Sequence, residues 1–503
     1  MMMLSVSTKR MVLFLLFVVL LGRAHTGRAE VRLPHLLSDH AVLQRESPIH
    51  IWGWAEAGEQ IKVSFHAQTV KTTTDQNGTW SILLKPESAG GPYTLQVSGS
   101  KTENPVTRED ILVGDVWVAS GQSNMGFPLK GGGPSAPLKD GDKEIADSNQ
   151  PQIRLFREAM HLTAKSWDDL PEQWTPCTPE NAKSFSAVAY FFGRHIVENE
   201  HIPVGLVEAS VGGTPVQTWI SPEGSKYSSL SAVTDYATEL MKRSGTTFDS
   251  AVAAGDRTLQ ADWMPSSLYN GMIAPLTPYT IKGAIWYQGE SDAGSVTAPG
   301  YLERFTALIQ DWRQKWGEGD FPFLYVQISS VGGQRSYWGN IRDAQRRALH
   351  IANTAMATSL DVGRSDSNPH PSDKQTVAAR LANAALGMVY GEKVEYQPPL
   401  FEKAAPEGHN IRAWFSHADG LRSSDNPVKD FEVAGADHKF VPATAHIEQV
   451  GSQETVVAQA FGVTMPKYIR YGWSSFVGSY LYNSSHLPMG AFTSEEEQPG
   501  AKP

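Results

Sequence analysis

Ser123 lies in the run Gly121-Gln122-Ser123-Asn124-Met125, directly after the apolar stretch Val116–Ala119. A serine that follows a strand between glycine and polar side chains is an exposed candidate nucleophile. It is not the Gly-x-Ser-x-Gly elbow, because Met125 stands where the second glycine would be. By itself such a serine is as well suited to capping a helix. A second apolar stretch ends in Ala209-Ser210-Val211-Gly212-Gly213-Thr214. Its two glycines allow positive φ and offer backbone N–H groups to an oxyanion; the alternative is a tight turn. A third ends in Trp286-Tyr287-Gln288-Gly289-Glu290-Ser291-Asp292, where Gln288 supplies an amide donor and Glu290 and Asp292 supply carboxylates. A fourth leads to Asp361, Asp366, His370, Pro371 and Asp373. An imidazole titrating near pH ~6.5 suits a general base at neutral pH. Nucleophile, backbone donor, amide donor and base together are the complement that acyl transfer needs.

These groups can meet only if strands bring them to one edge. Between residues 110 and 395 apolar runs alternate with helical patterns. The expected strands are Val116–Ala119, Val204–Glu208, Gly283–Tyr287, Phe323–Ile328 and Ala355–Leu360. The expected helices carry Phe185, Val188, Phe192 and Ile196; Leu302, Phe305, Ile309, Trp312 and Trp316; and Val377, Leu381, Ala385 and Met388, with His370 opening the last. Alternation of this kind predicts an α/β domain, here 110–398, with a parallel sheet flanked by helices and ligands at the strands' carboxyl ends. Residues 131–182 and 221–280 read as long insertions at its rim. Residues 30–109 show short alternating strands with turns between them and predict a β-sandwich-like domain that packs or spaces. Residues 399–492 turn β-rich again, and the Glu- and Pro-containing tail, 493–503, reads as disordered.

The chain has 503 residues, with 41% hydrophobic and 19% charged residues, which excludes a disordered protein. A net charge of −10 leaves no basic footprint for nucleic acid. The single cysteine, Cys177, rules out an internal disulfide and a thiolate metal cluster. At the N-terminus Lys9 and Arg10 precede an apolar run, Met11 to Leu21, and Gly27 and Ala29 sit at the −3 and −1 places of a cleavage site. Residues 1–29 therefore read as a secretory signal. The run is too short for a bilayer span of roughly 20 residues, so no span is expected in the mature chain.

The chemical residues resemble the SGNH (GDSL-like) hydrolase superfamily, and more narrowly the sialate O-acetylesterase family. The resemblance rests on Gly121–Met125, on Gly212-Gly213-Thr214-Pro215, on Leu268–Leu276 followed by Ile285–Ser291, and on His370–Val377. Flanking similarities from Leu33 to Gln44, Phe431 to Asp437 and Asn483 to Gly490 extend it over nearly the whole mature chain. It implies a flavodoxin-like sheet and a serine esterase without metal or cofactor, acting on O-acetylated carbohydrate, namely sialic acid. Ser123 would be the nucleophile and His370 the base. The oxyanion hole would combine the Ser123 N–H, a glycine N–H (Gly213, otherwise Gly212) and the Gln288 amide. The superfamily's acid position, three residues before the histidine, is Ser367 here. The third member is then Asp366, Glu290, or a backbone carbonyl that orients the ring. An esterase for acetylated xylan or another glycan would use the same set. A secreted carbohydrate-binding protein without activity is the rival from another class. Export implies a periplasmic or extracellular enzyme, or a lysosomal one in a eukaryote.

Overall fold

The computed structural model describes residues 30–254 and 260–496; the leader expected over 1–29 and the end of the tail, 497–503, lie outside them. The chain folds as two compact units. The smaller holds residues 30–33, Ile51–Ile82 and Leu95–Thr107. In it, Gln60–Phe65 pairs antiparallel with Gln68–Thr73. Ile61, Val63 and Phe65 are buried and alternate with the exposed or half-buried Gln60, Lys62 and Ser64. Val97 and Leu95 oppose Val63 and Phe65 from the other side. This is the two-residue period of a half-buried strand. Residues 34–50 and 83–94, which the sequence pattern grouped with this domain, belong to the larger unit. The reason is pairing: Val42–Gln44 lies parallel to Leu112–Gly114.

The larger unit is built on a mixed sheet. Its strands are β1 (Val106–Gly121), β2 (Gln150–Arg157), β3 (Thr175–Cys177), β4 (Val204–Ser210), β5 (Gly283–Tyr287), β6 (Phe323–Val326) and β7 (Thr354–Ala357). They lie in the order β7-β6-β5-β1-β4-β2-β3. All neighbours are parallel except β2 and β3. The stretch 131–182, read as an insertion, therefore contributes a strand and a short antiparallel partner to the sheet.

Register is what matters for chemistry. Gly121 stands opposite both Ser210 and Tyr287, and Arg157 opposite Glu208. The carboxyl ends of β1, β4, β5 and β2 are thus nearly level, and the loops that follow them emerge side by side. From β1 the chain goes to the β4–β2 side of the sheet, and after β4 it crosses back over β1 to β5, which opens a crevice at that end.

Alternate residues sort to the two faces. Trp117, Leu206, Ile285, Leu324 and Ala355 join one core with helices α1 (Ala187–Glu200) and α4 (Lys374–Ala385). Trp286 and Phe323, one residue out of phase, face α2 (Tyr301–Trp316). There Trp286 meets Trp312 edge-on at 5.9 Å, and Phe305 meets Tyr325 edge-on at 5.0 Å. These contacts are the favoured geometries of aromatic quadrupoles. Helix α1 starts where Ser186 accepts the Ala189 N–H at 3.0 Å. Helix α4 starts four residues later than the sequence pattern suggested. Asp373 caps it by accepting the Thr376 N–H at 3.0 Å, which leaves His370 in a loop.

The C-terminal region holds a seven-stranded antiparallel sheet whose first and last strands, Leu400–Glu407 and Phe492–Thr493, approach each other, and a two-stranded sheet of Arg422–Ser423 with Leu481–Tyr482. Phe401 and Phe492 stack there at 4.5 Å. Thr493, at the start of the expected tail, is a strand residue, and the Ser494 N–H donates to the Ile469 carbonyl. Buried polar contacts fix this region to the mixed sheet. Gln327 donates to the Ala491 carbonyl at 3.2 Å and accepts from the Ala491 N–H at 3.0 Å. Arg342, from helix α3 (Trp338–Arg347), is fully buried and donates to the carbonyls of Ile328, Ser329, Gly472, Ser474 and Ser475. Among the described residues no helix is long and apolar enough to cross a membrane.

Replacing Arg342 with Met would leave those carbonyls without their donor. The expected cost is roughly 3 kcal/mol or more. Denaturant unfolding of wild type and variant measures it, and a loss under about 1 kcal/mol would contradict this account of the docking.

Candidate active site

Ser123 sits in the turn that β1 enters at its carboxyl end. Gly121 has φ +133°, and a side chain there would run into the Tyr287 carbonyl of the neighbouring strand at 2.3 Å. The turn closes with the Met125 and Gly126 N–H groups donating to the Gln122 carbonyl at 2.9 and 3.0 Å. His370 comes from the loop between β7 and α4. Its Nε2 lies 2.8 Å from Ser123 Oγ, joining residues 247 positions apart.

The other ring nitrogen fixes the tautomer. Asn368 Oδ1 accepts the His370 backbone N–H at 3.0 Å and lies 2.9 Å from Nδ1. An atom that accepts a backbone N–H is the amide oxygen, so Nδ1 carries the ring proton and donates it. Nε2 then presents a lone pair to the serine hydroxyl, the arrangement a general base requires. The His370 pKa is lowered to about 4. Burial is the main cause, and the positive charges of Lys374 and Arg364 add to it.

Neither expected acid touches this ring. Asp366 is exposed and pairs with Arg364, accepting its Nε–H at 2.9 Å; that pairing and the Asn368 N–H hold its pKa down to about 2. Glu290 is half-buried and accepts from Asn124 Nδ2 at 2.5 Å. Asn124 also donates to the Pro369 carbonyl at 3.0 Å, just before His370, and accepts from Lys374 Nζ. Burial raises the Glu290 carboxyl and lowers Lys374 to about 7. Asn124, Glu290 and Lys374 thus form one buried network linking the serine turn to the histidine loop. Sequence reasoning missed Asn368, Asn124 and Lys374. A signal existed for Asn368, since asparagine bonds readily to a backbone N–H two residues on.

The oxyanion side also departs from expectation. Gln288 is fully buried and its amide nitrogen is engaged, donating to Asp292 Oδ2 at 2.6 Å and to the Thr214 carbonyl at 3.1 Å. Its oxygen accepts from the Tyr301 hydroxyl. Gln288 therefore stands behind the glycine loop and tethers it. Asp292 completes the tether by accepting the Val216 N–H at 2.9 Å and facing the buried Arg304 at 3.4 Å. Gly212 packs directly on the nucleophile: a side chain there would come within 2.8 Å of Ser123 Cβ. Gly213 adopts φ +78° and turns the loop. Among the described residues no protein acceptor takes the N–H of Ser123, Gly212 or Gly213.

Ser123, Gly212 and His370 line a cavity of about 400 Å³, walled on its apolar side by Phe127, Ala136 and Met160. Among the described residues no group of three or more His, Cys, Asp or Glu is arranged to hold a metal ion. Cys177 is buried.

Comparison with known proteins shows the family. The family model described as carbohydrate esterase, sialic acid-specific acetylesterase matches residues 113–250 and 236–387. The human protein named sialate O-acetylesterase is 29% identical over 528 residues, covering 96% of each chain. The rat protein of the same name is 29% identical, covering 95% of this chain and 97% of its own. The crystal structure of a carbohydrate acetylesterase from Xanthomonas citri superposes with a TM-score of 0.79 at 33% identity, covering 92% of this chain and 99% of that one. The chain is a carboxylic ester hydrolase and belongs to the sialic acid-specific acetylesterase family of carbohydrate esterases.

Proposed function

We propose that this protein is an exported serine esterase that removes O-acetyl groups from sialic acids through an acetyl-serine intermediate. The observation that carries the mechanism is the 2.8 Å contact between Ser123 Oγ and His370 Nε2. His370 takes the hydroxyl proton as Oγ attacks the acetyl carbonyl. The Ser123 and Gly212 N–H groups, with Gly213 beside them, stabilise the tetrahedral oxyanion. The imidazolium then returns its proton to the departing sugar alcohol. Water, activated by the same imidazole, hydrolyses the acetyl-serine.

Asn368 takes the place of the acid: it holds the tautomer through Nδ1–H without adding a negative charge. The strand order supports an SGNH-type, flavodoxin-like domain: with β2 and β3 set aside, the remaining five strands run 2-1-3-4-5. The charged and apolar pattern of residues 1–29 supports export. The sialate assignment is supported by the matching family and the relatives' names. A non-catalytic sugar-binding role is disfavoured because it gives no reason for a serine and an imidazole to meet at bonding distance.

Ser123→Ala should cut acetate release from an O-acetylated sialic acid by about 10³-fold or more. Retained activity in that variant would overturn the mechanism. A panel that includes acetylated xylan reads the sugar preference.

The pH profile gives an independent check. With His370 lowered to about 4, the base is unprotonated from mildly acidic pH upward, and kcat/KM should fall only as pH drops toward that value. Asn368→Asp would place a carboxylate on Nδ1–H. Favouring the imidazolium, it should move the acid limb to higher pH by about one unit or more. An unmoved limb would contradict the role given to Asn368.

A further inference from the structure

The catalytic cavity is lined by polar groups as well as by Phe127 and Met160, and its one cationic lining residue among the described residues is Arg157. Strand β2 ends at Arg157, which is in register with Glu208, and Ser210 in turn is in register with Gly121. The guanidinium therefore rises at the same end of the sheet as Ser123. Arg157 and Ser123 line the same cavity of about 400 Å³.

Arg157 is not consumed by its neighbours. Its side chain is 53% exposed, and its closest ionic contact is Nε at 3.6 Å from Glu208 Oε2, beyond hydrogen-bonding distance. Glu208 has nearer donors: the Ser186 N–H at 2.9 Å and the Ser210 hydroxyl at 3.2 Å. Among the described residues no acceptor takes either terminal nitrogen of Arg157. The adjacent Glu158 carboxyl is buried, and burial, helped by Glu172 and Glu208, raises its pKa well above the usual range.

A free guanidinium fork is the protein group best matched to a carboxylate, which it binds through two parallel N–H donors. The setting strengthens the argument. A chain of net charge −10 repels an anionic sugar at long range, so such a substrate needs a local cation at the mouth of the site.

We propose that Arg157 is a specificity-determining residue, a carboxylate-binding subsite that selects acetylated sugar acids over neutral acetylated glycans. The inference rests on the esterase reading above and names the substrate feature that Arg157 recognises. It involves no covalent step; the fork holds the sugar acid's carboxylate while the acetyl ester lies at Ser123.

The test compares an O-acetylated sialic acid with its carboxyl methyl ester, reading acetate release at low ionic strength. These differ only in the charge that Arg157 would bind. For wild type, kcat/KM should be about tenfold or more higher for the acid than for the ester, mostly through KM, and added salt should narrow the gap. Arg157→Gln should bring the two substrates to within about twofold, and Arg157→Lys should keep part of the preference. Equal rates on acid and ester in wild type, or a preference that survives in R157Q, would overturn the inference and leave the sialate reading standing. Acetate release from neither sialic acid form, with acetylated xylan turned over, would overturn both. The wild-type comparison needs no variant, so a folding defect cannot mask the answer.

Discussion

The contact between the Ser123 hydroxyl and the His370 ring depends on level strand ends. Gly121 is in register with Ser210 on one side and with Tyr287 on the other. That register brings the serine turn, the glycine loop and the Gln288–Asp292 loop to one edge, and β7 delivers the histidine loop to the same edge. A slip of one residue would turn the side chains to the opposite face. The aromatic layer around Trp286 on one face and the aliphatic core with α1 and α4 on the other hold the register in place. Stability and chemistry here draw on the same packing.

A second theme is how buried polar groups are used. Asn124 joins Glu290, Lys374 and the Pro369 carbonyl. Gln288 joins Thr214, Asp292 and Tyr301. Each is a buried amide, and leaving either half-satisfied would be costly. Both sit immediately behind a loop that meets the nucleophile. Their work is to hold backbone in place, so that the Ser123 and Gly212 N–H groups stay aimed where charge develops. Holding donors in place before the reaction is where much of the catalytic gain of an oxyanion hole arises. The neutral Asn368 behind the ring fits the same pattern: it orients the imidazole while His370 stays a weak base, unprotonated over a wide pH range.

Strand-end logic was strong enough to pair Ser123 with His370 from the sequence, because apolar runs of four to six residues separated by helical patterns leave few topologies. It correctly set Gly283–Tyr287 as a strand and placed Leu302, Phe305, Ile309, Trp312 and Trp316 on one helix, which spans Tyr301–Trp316. It failed where function depends on which hydrogen bonds an amide has already made. Gln288 has the right chemistry at the right rim, and only coordinates reveal that Asp292 and Thr214 take its donors. Asp366 has the right charge two residues from Asn368, yet Arg364 claims it. The strand Gln150–Arg157 escaped notice because its first residues, Gln150, Pro151 and Gln152, are polar or strand-breaking, and its apolar part is only Ile153, Leu155 and Phe156.

The most direct measurement of the central claim is covalent labelling. A phosphonate that mimics the acetyl ester should attach once per chain, at Ser123, by peptide mass mapping. His370→Ala should slow that reaction by about 10²-fold or more, because the serine loses its base. A label found on another residue, or an unchanged rate in the histidine variant, would contradict the account.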